Sequence, residues 1–193
     1  MRKMTKLGAA AGLAALLVLF GQPAPMPAVE AAAVQAGATS NREATSVLAD
    51  KLALKELVDP FSILADEKNG IAQEALFTKD AVVENYSDGK LMTSLTGREN
   101  IGKAFDDFLK TQDVVYHING QQVVDIKGNT ATGTSYCYVV LISTQNGRQV
   151  KRSGGTRYHD TYVKQDGKWL IKKRMADFVW TEYGDLPLTK QEG

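Results

Sequence analysis

The chain has 193 residues, 44% of them apolar and 23% charged, an ordinary globular balance. Lys and Arg total 23 against 22 Asp and Glu; the net charge of +1 excludes the basic surplus of a general nucleic-acid binder. A single cysteine, Cys137, excludes an internal disulfide framework, and with only two histidines it cannot build a zinc cluster of familiar spacing.

Arg2, Lys3 and Lys6 form a positive start, and Gly8 to Phe20 is an apolar run. That run is too short to span a bilayer, which needs ~20 residues. The Pro/Ala-rich stretch QPAPMPAVEAAAVQA follows. The order predicts a secretory signal peptide over residues 1–36, cut between Ala31 and Ala36. An uncleaved membrane anchor is the alternative. Cleavage would leave a periplasmic or secreted protein with no stable membrane insertion, and no cysteine follows the apolar run to make it a lipoprotein.

Residues 43–67 carry Val47, Leu54, Leu57, Val58, Phe61 and Leu64 at helical spacing. Asp59-Pro60 reads either as a new helix start, with Asp as N-cap and Pro in the first turn, or as a kink in one long helix. Gly70 breaks the pattern, and residues 71–77 read as another short helix. AVVENY (81–86) and LMTSL (91–95) flank an Asp-Gly turn and predict a hairpin. Thr96 and Glu99 have the spacing of a capping box for a helix over about 98–110. Its apolar face holds Ile101, Ala104, Phe105, Phe108 and Leu109.

Four long strands follow, over 114–126, 130–143, up to about 164, and 168–180, separated by short Gly-containing turns. This predicts an antiparallel meander. Gly120, Gly133, Gly154 and Gly155 lie inside strands and predict bends or bulges. Helices followed by a strongly curved antiparallel sheet make an α+β domain over 37–184, cone-shaped, with the sheet wrapped around the N-terminal helices and enclosing a pocket. Residues 185–193 read as a flexible tail.

The strings LADEKN and EALFTKDAVVE (64–84), GRENIGKAF (97–105), YHINGQQVV (116–124) and GGTRYHDTYVKQDGKWLIKKR (154–174) resemble the nuclear-transport-factor-2-like superfamily in its SnoaL-like branch. The match runs over roughly 43–182. The last string is the most specific and resembles scytalone dehydratase and hexachlorocyclohexane dehydrochlorinase. In those enzymes a strand histidine is the general base and an aspartate at a helix end orients it. The resemblance carries these roles to His117 and Asp66. Imidazole titrates near ~6.5 and can accept a carbon-bound proton at neutral pH. A carboxylate on its other nitrogen would fix the tautomer and stabilise the imidazolium. Elimination, isomerisation or aldol-type cyclisation would follow, with no cofactor and no metal.

Phe61 stands where bile-acid dehydratase-like members carry a tyrosine, and Val140 lies near the second histidine of scytalone dehydratase. Tyr86, Tyr138 and Tyr158 are the candidates for a replacement acid. Phe61, Tyr86, Tyr138, Val140, Tyr158 and Asp160 are expected to line the pocket, with pairing to Arg157 or Arg174 as the alternative for Asp160. His159 is expected to face outward. Asp177 is a weaker candidate base for ketosteroid-isomerase-like chemistry, and Lys172-Lys173-Arg174 reads as a solvated strand face. The expected partner is a small hydrophobic or carbocyclic molecule, and the resemblance implies a homodimer. A non-catalytic ligand-binding module or a dimeric scaffold is the alternative function.

Overall fold

In the computed structural model, residues 28–186 are described. The expected signal peptide lies for the most part outside them, and its cleavage region, Ala31–Ala36, falls in a helix. Among the described residues no helix is long and apolar enough to cross a membrane. The chain divides by contacts after Asn41. Up to that point its described residues are helical. From Arg42 onward it carries the remaining elements.

Helix α1 spans Ala28–Asp66 with Pro60 inside it, so the expected helix start at Asp59 is not there. A proline in a helix interior costs ~3 kcal/mol. Leu54 and Leu57 before it, and Phe61 and Ala65 after it, are buried in the core. Burying a large apolar side chain contributes roughly 1.5–3 kcal/mol, so the core outweighs the proline. Side-chain amides also reach the helix carbonyls around it. Gln122 Nε2 donates to Leu54 O (3.3 Å), Asn119 Nδ2 to Val58 O (3.5 Å) and Gln73 Nε2 to Phe61 O (2.8 Å). Asp59 is not a cap; its carboxylate pairs with Lys55 at 2.7 Å and accepts from Asn119 Nδ2.

Helix α2 (Gly70–Gln73) and a 3-10 turn (Glu74–Leu76) lead into the hairpin β1 (Phe77–Ser87) and β2 (Lys90–Thr96). Its turn residues Asp88 and Gly89 both have positive φ, as a tight hairpin requires. Helix α3 covers Arg98–Leu109. The capping box does not form. Gly97 is the N-cap, at φ 86°, and no side chain caps the helix. Gly97 N–H is instead bound to Ala81 O at 2.8 Å, so the sheet dictates a turn that only glycine makes without strain.

Strands β3 (Val114–Lys127), β4 (Thr130–Gln145), β5 (Arg148–Gln165) and β6 (Lys168–Leu186) form the meander. Strand β6 runs into the stretch expected to be tail. The six strands lie in the order β2-β1-β6-β5-β4-β3. The sheet is mixed rather than wholly antiparallel, because the β1–β2 hairpin joins the meander with β1 parallel to β6. The register slips at Asn119/Gln122 and at Gly155/Thr156. Gly133 sits in unbroken register instead; a Cβ there would press on the Tyr162 ring at 3.0 Å.

Candidate active site

Asp66 is the last residue of α1, and His117 belongs to the inward row of β3. Val115 and His117 alternate with the exposed Tyr116 and Ile118, as strand geometry demands. The two residues meet. Asp66 Oδ1 lies 2.6 Å from His117 Nδ1, and Asp66 Oδ2 accepts the His117 backbone N–H at 3.2 Å. A carboxylate can only accept, so Nδ1 carries the proton and the neutral ring keeps its lone pair on Nε2. No residue among those described hydrogen-bonds to Nε2.

His117 forms part of the wall of a cavity of about 480 Å³. Volumes of ~300–1,000 Å³ are usual for small-molecule sites. Phe61, Phe105 and Leu109 come to it from the helices, and Val139, Leu141 and Tyr158 from the sheet. Asp66 stands behind the histidine rather than on the wall.

Phe61 and Tyr158 line the cavity. Tyr86, Tyr138, Val140 and Asp160 are not among the lining residues. Tyr86 donates to Glu84 Oε2 at 3.2 Å, and the Tyr138 ring lies 6.1 Å from that of Trp180. On β4 the inward row is Cys137, Val139 and Leu141, buried or half-buried, so Val140 and Tyr138 point the other way. His159 meets Thr134 Oγ1 at 3.2 Å and lies off this cavity. Asp177 is tied to Arg157 at 2.7 Å, while its neighbours Ala176 and Phe178 are on the wall.

Rather than lining the cavity, Asp160 holds Arg174. The two are fully buried and joined by two hydrogen bonds, Nε to Oδ1 at 2.9 Å and Nη2 to Oδ2 at 2.7 Å. Tyr162 also donates to Oδ2 at 2.8 Å. The Arg174 guanidinium lies 4.2 Å from the Phe61 ring centroid and 4.3 Å from that of Tyr158, a doubled cation–π contact. Burial works against its charge, but the Asp160 carboxylate and its hydrogen bonds outweigh burial and hold Arg174 above its ordinary range. Nη1 has no hydrogen-bond partner among the described residues, and Arg174 lines the cavity. Burial also pushes the Tyr158 phenol well up, so it keeps its proton.

Arg174 is therefore not on a solvated face. The β5–β6 register passes from Tyr162↔Ile171 to Thr161↔Lys173, which makes Lys172 an extra residue. A one-residue slip exchanges the faces of every position beyond it. Simple alternation from the buried Trp169 and Ile171 would put Arg174 outside. Gln73 is another wall residue that the sequence did not mark. Both are legible only in the folded chain.

The family model for the SnoaL-like domain matches residues 46–175. The chain belongs to this family. No curated protein sequence matches it. Among solved structures the SnoaL-like domain is similar to a candidate scytalone dehydratase from Novosphingobium aromaticivorans, at 21% identity and TM-score 0.63, over 77% of this chain and 99% of that one. It is similar to hexachlorocyclohexane dehydrochlorinase LinA type 2, at 15% identity and TM-score 0.59, over 73% and 91% of the two chains. The Kfla4162 protein from Kribbella flavida shares 16% identity and a TM-score of 0.64, over 70% and 95%. At these identities the likeness is one of fold: the cone-shaped α+β architecture expected from the sequence, here with six strands.

Proposed function

We propose that this SnoaL-like domain is a cofactor-independent acid/base catalyst of lyase or isomerase type, acting on a small, largely apolar carbocyclic molecule. The observation that carries the reading is the 2.6 Å contact between Asp66 and His117 at the wall of an apolar cavity. His117 Nε2 takes a proton from carbon. Asp66 stabilises the imidazolium that forms. The electron pair released by carbon moves onto a neighbouring carbonyl oxygen, and Arg174 Nη1 is the donor suited to that developing oxyanion. Return of the proton to a different carbon isomerises the substrate. Expulsion of a β-substituent with its bonding electrons completes an elimination.

A second reading, ligand binding without turnover, draws support from β4. Cys137, Val139 and Leu141 supply no second titratable group near neutral pH on that wall. Under either reading we propose an exported protein, because of the signal-like residues 1–36. We also propose a homodimer, paired through the outward row that exposes Tyr116, Ile118, Tyr136 and Tyr138.

The test is hydrogen–deuterium exchange at carbon. The protein is incubated with a panel of cyclic ketones in D2O, and loss of the α-proton signals is followed by NMR. Exchange at least ~100-fold faster with the wild type than with His117→Ala, on one or more ketones, is the expected result. Equal rates across the panel would reject catalysis and leave the binding reading.

A further inference from the structure

Gln73 is buried, lines the cavity, and is only half satisfied. Its Nε2 donates to Phe61 O at 2.8 Å. That carbonyl accepts only, so the orientation of the amide follows from its partner: nitrogen toward Phe61, oxygen away. The oxygen, Oε1, has no hydrogen-bond partner among the described residues. A buried acceptor left unpaired costs about 1–3 kcal/mol.

The amide has little freedom to turn elsewhere. Its short helix lies flush on α3, because a Cβ at Gly70 would fall on the backbone of Asp106, and one at Gly102 on the side chain of Glu74. Asn69 Oδ1 accepts the Ala72 N–H at 3.0 Å and closes the first turn. Gln73 is thus held against both α1 and α3, its Oε1 buried and unpaired beside a largely apolar chamber. Phe61 connects it to the other orphan of the same wall: its carbonyl takes the Gln73 amide, and its ring stacks on the Arg174 guanidinium, whose Nη1 is an unpaired donor.

We infer that Gln73 determines specificity: its Oε1 accepts a hydrogen bond from a hydroxyl or N–H group of the ligand, so the cavity selects apolar ring frames that carry such a donor. This rests on the cavity being a ligand site and not on turnover. An ether or a hydrocarbon of the same shape leaves Oε1 buried and unpaired, which is a strong basis for rejecting close analogues.

The test is calorimetric binding of biphenyl, the three hydroxybiphenyl isomers and their methyl ethers to the full chain. The expected result is at least one hydroxybiphenyl that binds about tenfold tighter than its methyl ether. Gln73→Leu should erase that ratio. Should the leucine variant not fold, Gln73→Met replaces it. In His117→Phe the preference should persist; its loss there would assign the acceptor to His117 and overturn the inference. If biphenyl binds but no isomer outbinds its ether, the inference falls and the ligand cavity stands. If none of the series binds, the inference and the cavity reading fall together.

Discussion

Asp66 grips His117 at two points, the ring through Nδ1 at 2.6 Å and the backbone N–H at 3.2 Å. One carboxylate therefore sets both the tautomer of the imidazole and the place of its strand against the end of α1. The histidine side chain is 8% exposed and the aspartate 28%, so the charged partner keeps contact with water while the base is shielded.

Asp66→Ala should release the ring from the tautomer with its proton on Nδ1. Nitrogen-15 NMR of the imidazole reports the tautomer directly, and the variant is expected to move toward the form protonated at Nε2. Any carbon-proton exchange should fall by about 10²-fold or more, because Nε2 would no longer be the acceptor. A wild-type spectrum with the proton on Nε2 would contradict the geometry.

Arg174→Met should cost about 3–5 kcal/mol in urea unfolding, because Asp160 would be left buried with its charge uncompensated. Removing that charge as well, in Arg174→Met with Asp160→Asn, should recover much of the loss. Two losses that simply add would show that the partners act independently.

Asp50 offers a dependence on pH. Hydrogen bonds from Lys164 and Trp169, together with the Lys164 charge, hold its carboxyl below the usual carboxylate range. The folded pKa is depressed, so the unfolded chain binds the proton more readily. The contribution is complete above the unfolded carboxylate pKa, near ~3.9, and is lost as pH falls through the folded value. Asp50→Asn should therefore destabilise at pH 7 and progressively less toward pH 3. The comparison is made by urea unfolding at several pH values, and a constant difference would mean that the effect is not one of charge.

Burial pushes the Cys137 thiol up to about 11. At pH 8 the native protein should resist alkylation by iodoacetamide, with the cysteine modified promptly once urea is added. Intact mass distinguishes the two, and rapid native labelling would reveal opening of β4.

Regular local signals in the sequence corresponded closely to elements. Asp-Gly and Asn-Gly pairs, whose residues take positive φ at Asp88-Gly89, Asn146-Gly147 and Asp166-Gly167, located three turns of the sheet. Local signals failed where a longer-range contact overruled them. Pro60 is carried through α1 by a core on both sides of it, and Thr96 is drawn into pairing with Val82 in β2 instead of capping α3.

By itself the sequence determined the order of helices and strands, the hairpin turns and the family resemblance, because these depend on neighbours a few residues apart. It also brought forward Asp66 and His117, through strings shared with relatives. Only the tertiary structure decided that β1 runs parallel to β6, that Arg174 turns inward, and that Gln73 keeps a buried, unpaired oxygen beside the cavity. A bulge at Lys172 reverses the face of Arg174 and the residues up to the next slip at Val179, and an amide is half satisfied only once every possible partner has its place in space. Both are properties of strand register and packing between distant segments, which no local pattern of residue types encodes.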